Sequence, residues 1–310
     1  MSHRSARSLP LALLALLWLA PACGGTTGQN DPPDATPSPA DAAVPSGEWA
    51  TLIDGEWTLS AGSEDYLCVR YTVPQDLFIS EFRAIVPLGT HHSVLTVGQP
   101  SGPDGITSCT SFSNQPAMIY GAGINTDPIA LPEGVAMRVR AGQQLLLNLH
   151  LFNASDAVLS GLSGVEMKTM AAEEVVHEAE VLLMGPLLDL RIPPGISTQS
   201  GQCTMNGDVT LFMISPHLHQ LGTHMRAVAV RDGQEDVVLF DQPYDFEDQQ
   251  VHPIEPIEMA LGDRVEVHCT YNNTTGSTVS WGESSDEEMC FATTYRYPAY
   301  GGGISIVCAN

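Results

Sequence analysis

Short stretches in which apolar and polar residues alternate recur along the chain, each bounded by Gly, Pro, Asn or Asp. Tyr66-Leu-Cys-Val-Arg-Tyr-Thr-Val73, Gln144-Leu-Leu-Leu-Asn-Leu-His-Leu-Phe152, Asp208-Val-Thr-Leu-Phe-Met-Ile214 and Arg264-Val-Glu-Val-His-Cys-Thr-Tyr271 are the clearest, and all are rich in β-formers. A period of two turns alternate side chains to opposite faces, so each reads as a strand. Met167 to Leu183 is mixed, because Ala171-Ala172-Glu173-Glu174 favours helix while Val175-Val176 and the alternation after them favour strand; it is predicted to be mostly strand. Many short strands joined by turns predict an all-β chain of two tandem antiparallel β-sandwich domains, jelly-roll-like. The turn Ile192-Pro-Pro-Gly195 puts the boundary near residues 184 to 195, giving an amino-terminal domain over 49–185 and a carboxy-terminal one over 186–310.

The first 48 residues do not share this pattern. Met1 to Arg7 carries two arginines, Leu9 to Ala22 is an apolar run too short to span a bilayer, and Ala20-Pro21-Ala22 precedes Cys23. Residues 1–22 therefore read as an export signal peptide. Cys23-Gly24-Gly25 resembles the start of a bacterial lipoprotein with Cys23 lipid-modified, although a leucine stands four residues before the cysteine instead of three; plain secretion is the alternative. Residues 23–48, rich in Pro, Ala, Asp, Ser and Gly, cannot bury a core and read as a disordered tether. The expected location is the bacterial cell envelope, periplasm or outer membrane, with a lipid anchor as the one contact with a membrane.

Composition narrows the function classes. With 12 Lys+Arg against 36 Asp+Glu the formal charge is −24, which repels phosphate backbones and excludes nucleic acid as an expected partner. Hydrophobic residues make up 43% of the chain, too many for an acidic disordered protein. Apart from Cys23 there are six cysteines, Cys68, Cys109, Cys203, Cys269, Cys290 and Cys308. In an oxidising compartment an even number predicts disulfides, and two early plus four late cysteines suggest one bridge in the first domain and two in the second. Buried free thiols are the alternative.

Four sets of residues can carry metal chemistry. His217 and His219 follow an apolar strand two positions apart, so both rings point to one face. His91 and His92 are adjacent and can share an ion only if the chain bends or one ring uses its nearer nitrogen. His150 ends an alternating run whose face also holds Leu146, Asn148 and Phe152. Met289 directly precedes Cys290, and a Cys269–Cys290 bridge, worth roughly 3 kcal/mol of loop closure, would pin it. A pinned thioether beside imidazole selects Cu(I) over harder ions. Taken singly, each signal also fits ordinary core or surface residues.

In combination the motifs resemble the type II copper, ascorbate-dependent monooxygenases, whose members include peptidylglycine α-hydroxylating monooxygenase and dopamine β-monooxygenase. The resemblance spans approximately Gly55 to Asn310. It rests on Tyr66-Leu-Cys68, Thr90-His-His92, Asn148-Leu-His150, Ile192-Pro-Pro-Gly195, His217-Leu-His-Gln-Leu-Gly222 and Ser284-Ser-Asp-Glu-Glu-Met-Cys290, in the family's order. It implies an electron-storing copper on His91, His92 and His150, and an oxygen-binding, catalytic copper on His217, His219 and Met289, separated by a solvent-filled gap. It further implies bridges Cys68–Cys109, Cys203–Cys308 and Cys269–Cys290, and a supporting role for Asn148 at the first copper. The implied reaction takes O2 and single electrons from a reductant such as ascorbate, and hydroxylates a C–H bond of a small molecule or peptide.

The resemblance breaks at the substrate. In the peptide-amidating branch an arginine two residues before the His-x-His pair and a tyrosine four residues after the methionine grip a carboxylate; this chain has Ser215 and Thr293, which disfavours a peptidylglycine. Tyr295 and Arg296 are the nearby candidates to substitute. His224 should face away from the His217/His219 pair, His252 and His268 read as structural, and Asp286, Glu287 and Glu288 read as a solvated acidic face. Two other functions remain open: a copper-binding storage or delivery protein of the cell surface without catalysis, and a metal-free sandwich adhesin.

Overall fold

Alternation places Leu145, Leu147, Leu149 and Leu151 on one face of the strand Gln144–Phe152 and Leu146, Asn148 and His150 on the other, and both faces are buried. The first face joins a hydrophobic core; the opposite face borders a cavity between the two halves of the chain. The computed structural model describes residues 46–300 apart from 112, 187, 188, 283 and 285, together with the backbone of Ile306–Cys308. The signal segment, Cys23, the tether as far as residue 45 and the side chain of Cys308 lie outside the described residues. All described residues fall within one compact unit, Ser38–Asn310.

The regular structure is almost entirely antiparallel sheet. A five-stranded sheet runs in the order Gly105–Ser108, Glu64–Thr72, Gln144–Phe152, Thr90–Gly98, Ala117–Gly123. Its inner face packs Leu95, Leu147 and Leu149 with Ile79, Phe82 and Val165 of a much larger sheet, and Phe82 stacks on Tyr120 at 5.1 Å between centroids. That larger sheet follows the path Ala50–Leu59, Leu159–Thr169, Leu77–Ile85, Val135–Val139, His177–Met184, Cys290–Tyr297, Val209–Leu218, His252–Met259. It passes without a break from the first half of the chain to the second. A four-stranded sheet, Gly195–Thr204, Arg264–Asn273, Gly222–Val230, Val237–Pro243, covers the second half, where Leu211, Ile214, Met225, Val265, Val267 and Tyr271 form a second core.

The mixed segment Met167 to Leu183 resolves into the ends of two strands, Leu159–Thr169 and His177–Met184, around a single 3-10 turn, Ala172–Glu174. That turn buries none of its residues, so a longer helix would have no apolar face to cover, whereas the following strand buries Ala179, Val181, Leu182 and Met184. Both halves leave a central sheet strand by the same device. Asn153 donates its amide to the carbonyls of Ser60 and Ala157 and accepts from Ser155; Asn273 donates to Ile192 and Ser277 and accepts from Thr275. These are Asx turns made by buried asparagines at corresponding places in the two halves.

Strand Cys290–Tyr297 carries Arg296, which is 1% exposed and directly opposite Glu180 on the next strand. Its guanidinium donates to Glu180 Oε1 from Nη2 at 2.6 Å and from Nε at 3.0 Å. A buried charge deprived of its partner costs far more than the pair contributes. Glu180→Ala is therefore expected to lower stability by about 3–5 kcal/mol, read as a fall in the urea midpoint.

Candidate metal centres

The Trp57 indole donates to Ser163 Oγ at 2.7 Å, and Ser163 Oγ lies 2.6 Å from Thr90 Oγ1, which fixes the start of strand Thr90–Gly98. Gly89 precedes it at φ +101, and a Cβ there would come within 2.6 Å of the Trp57 ring, so glycine is required on both counts. Immediately afterwards the pairing with strand Gln144–Phe152 skips one residue: Thr90 faces Leu151, His92 faces His150, and His91 is extra. This bulge supplies the bend that two adjacent histidines need to reach one point. His91 Nδ1 and His92 Nδ1 are 3.0 Å apart, and His92 Nδ1 and His150 Nδ1 are 3.4 Å apart. One ligand nitrogen from each ring lies within 4.8 Å of the others. Nitrogens about 2.0–2.1 Å from a shared ion stand roughly 3 Å apart or slightly more, so the cluster has the dimensions of a three-histidine site. His150 donates its far nitrogen, Nε2, to Glu64 at 2.5 Å and lies flat on the Tyr66 ring at 4.5 Å.

On the second half, strand Val209–Leu218 turns Ile214 and Leu218 into the core and Ser215 and His217 to the opposite face, with His219 just beyond its end. His217 donates Nδ1–H to Gln249 Oε1 at 2.8 Å, and His219 donates Nδ1–H to the Glu287 carbonyl at 3.0 Å. Both Nε2 atoms are left with a lone pair. The rings stand perpendicular at 5.3 Å, His217 stacks on Phe291 at 5.7 Å, and Met289 lines the same cavity. Met289 is held from behind: its carbonyl accepts from Tyr271 at 2.6 Å, and Cys290 is bonded to Cys269.

The two clusters border one cavity of about 490 Å³. Phe246 packs between them, its ring centroid 5.3 Å from that of His91 and 6.1 Å from that of His219. The loop carrying it is tied to the first half, since Thr126 donates to the Gln249 carbonyl at 3.1 Å and Gln250 donates to the Asn125 carbonyl at 2.7 Å. Phe246, Gln249 and Glu64 escape a reading of the sequence, because nothing local marks them and only sheet register and loop docking bring them to the histidines. Burial, followed by the charge of neighbouring histidines, lowers the pKa of His91, His92 and His217, the last to about 3. Burial also lowers His219, against the pull of the Glu287 and Ser284 backbone bonds. These rings are neutral at neutral pH, the form that binds metal.

Several expectations change. Asp286 and Glu287 are exposed, but Glu288 is fully buried and is no solvated face. Its carboxylate accepts from the backbone amides of His219 at 2.9 Å and Leu221 at 2.6 Å, clamping the turn after the histidine pair; burial raises its pKa to about 7 in spite of those bonds. Asn148 donates to the carbonyls of Thr110, Ser111 and Ser113, so its amide holds the loop after Cys109 and not a histidine. Arg296 is closed on Glu180 and does not reach the cavity, while Tyr295 lines it. His224 pairs with Asp241, His268 with Ser200, and His252 packs on Phe240. Cys68 is bonded to Cys109, and Cys203 is also disulfide-bonded, as expected of a protein exported to an oxidising compartment.

Two sets of imidazoles, the second joined by a thioether, border one cavity of this all-β protein, a donor set that suits borderline or soft metal ions. Residues 177–302 match the family model described as copper type II ascorbate-dependent monooxygenase, C-terminal domain. Over 244 residues the chain is 27% identical to peptidyl-glycine alpha-amidating monooxygenase A of Xenopus laevis, a match covering 74% of this chain and 26% of that protein. The chain thus spans about a quarter of the length of that relative. Among solved structures, infectious bursal disease virus Gt strain matches with a TM-score of 0.22 at 9% identity, over 86% of this chain and 77% of that one. The VP2 subviral particle of the same virus gives 0.19 at 8%, over 84% and 73%; scores this low say nothing about the fold. The carboxy-terminal part of the chain is thus similar to the C-terminal domain of the copper type II, ascorbate-dependent monooxygenases.

Two measurements probe this architecture in the metal-free protein. An unfolded His217 binds a proton below 6.5 and the folded one only near 3, so acidification through that window favours the unfolded chain. His217→Gln is expected to lose less of its urea midpoint than the parent between neutral pH and about pH 5. Glu288→Ala leaves two buried amides without an acceptor and should cost about 1–3 kcal/mol in thermal or urea unfolding.

Proposed function

We propose that this chain is a copper-dependent monooxygenase that inserts one oxygen atom of O2 into a substrate C–H bond, with ascorbate or a similar one-electron reductant as co-substrate. In this reading His91, His92 and His150 hold one copper, and His217, His219 and Met289 hold another, each in its own mononuclear centre. The observation that carries it is the donor chemistry: three imidazole nitrogens converge on one wall, and two imidazoles with a thioether line the other. Copper bound there supplies one-electron redox chemistry and O2 activation, and mixed imidazole–thioether ligation suits it in the reduced state.

The chain's own residues prepare both sites. Glu64 accepts a hydrogen bond from the outward nitrogen of His150, and Gln249 and the Glu287 carbonyl do the same for His217 and His219. Each ring is thereby fixed in one tautomer and one orientation, and its basicity as a ligand is raised. Phe246 and Phe291 cover the histidines with apolar surface, which keeps bulk water from the reacting carbon. The bonded cysteines support export, in this reading to a bacterial envelope with Cys23 lipidated.

Met289→Ile removes the thioether while conserving volume, a change that costs less than about 1.5 kcal/mol. The variant is expected to keep its unfolding temperature within a few degrees and to lose more than about 100-fold of its reductant-dependent oxygen insertion. Product analysis with isotopically labelled O2 reads this directly; full activity in the variant refutes the ligand assignment, and product without label refutes monooxygenation.

A further inference from the structure

The cavity between the two histidine sets, about 490 Å³, has the size of a small-molecule site. Given the copper monooxygenase reading, on which this inference rests, it is where the substrate carbon must lie. Met118, Leu183, Val251, Trp281 and Phe291 give it an apolar lining. Among the described residues no Lys, Arg, Asp or Glu lines it, although the chain carries 12 basic and 36 acidic residues.

Apart from the imidazoles, the polar groups that border it are uncharged hydroxyls and amides, several of them already committed to the protein. Ser215 and Thr293 face each other across adjacent strands, with Leu183 beyond Thr293; these three form one floor. The Ser215 hydroxyl donates to the Gln250 carbonyl at 3.1 Å, and the Asn148 amide is committed to the loop carbonyls. The nearest cation in sequence, Arg296, is on the other face of its strand, neutralised by Glu180. An anionic substrate would lose its hydration here without a counter-ion, and an ammonium would find no carboxylate. We propose that the substrate is an electrically neutral, largely apolar small molecule, an aromatic or alkyl body bearing at most one or two uncharged hydrogen-bonding groups.

The test compares one skeleton in three charge states. Hydrocinnamamide, hydrocinnamate and phenylpropylamine are titrated into the copper-loaded full-length protein without reductant, so that calorimetry reads binding and not turnover. The amide is expected to bind at least about tenfold more tightly than either ion. An ion that binds as well as the amide, or an amide that does not bind, overturns the proposal. Ser215→Arg places a guanidinium on the floor and should reverse the order of amide and carboxylate; an unchanged order in the folded variant also counts against it. With ascorbate and O2 added, the two readings separate. Oxygen insertion into hydrocinnamate alone would overturn the neutral-substrate proposal and uphold the monooxygenase; amide-selective binding with no oxygen inserted into any compound would uphold the cavity chemistry and overturn the monooxygenase.

Discussion

Strand His177–Met184 belongs to both halves of the molecule, and the site depends on it. Its first residues run parallel to Val135–Val139, while its later ones pair antiparallel with Cys290–Tyr297 and parallel with Ile306–Cys308. A buried strand must satisfy its backbone donors and acceptors on both edges, so the first half cannot slide against the second without breaking this ladder. The loop around Phe246 and Gln249 adds a second tie through Thr126 and Asn125. With the halves locked together, strand alternation alone decides what confronts what: Tyr66, His92 and Asn148 on one wall, Ser215, His217, Phe291 and Thr293 on the other.

The two histidine sets are not copies of each other. In the first, the rings converge through Nδ1, the nitrogen nearer the backbone, which is how neighbours in sequence reach one point; His150 is steadied through Nε2 by Glu64. In the second the arrangement is reversed, with Nδ1 bound to Gln249 or a carbonyl and Nε2 turned to the cavity. Reach, geometry and outward partner all differ, so the two sets would give a bound metal different freedom.

Covalent bridges stand beside both sets. Cys68 lies on the strand next to Asn148, and its bond to Cys109 closes the loop that Asn148 also holds. Cys290 follows Met289 and is anchored to Cys269, whose strand also supplies the Tyr271 bond to the Met289 carbonyl. Glu288 completes the second support from the same segment, reaching the amides of His219 and Leu221. A run of three acidic residues thus divides by position: two meet water, and the third is a buried clamp.

The all-β class, the strands around Tyr66, Gln144, Asp208 and Arg264, and the pairing of His217 with His219 on one face were legible in the sequence, because a period of two is a local property of the backbone and needs no knowledge of what the strand packs against. The ligand-type residues were legible for a similar reason: few other side chains offer that chemistry. Tertiary structure alone decided what surrounds them. The bulge that brings His91 beside His92 arises from register with a strand more than fifty residues away, and the roles of Glu64, Phe246, Gln249 and Glu288 come from contacts between segments remote in the chain. The charge-free floor of the cavity was half visible as Ser215 and Thr293, but that Arg296 could not make good the loss depended on Glu180 meeting it across a strand pair. Side-chain direction beyond the local period is set by packing, and packing is not written in any one segment.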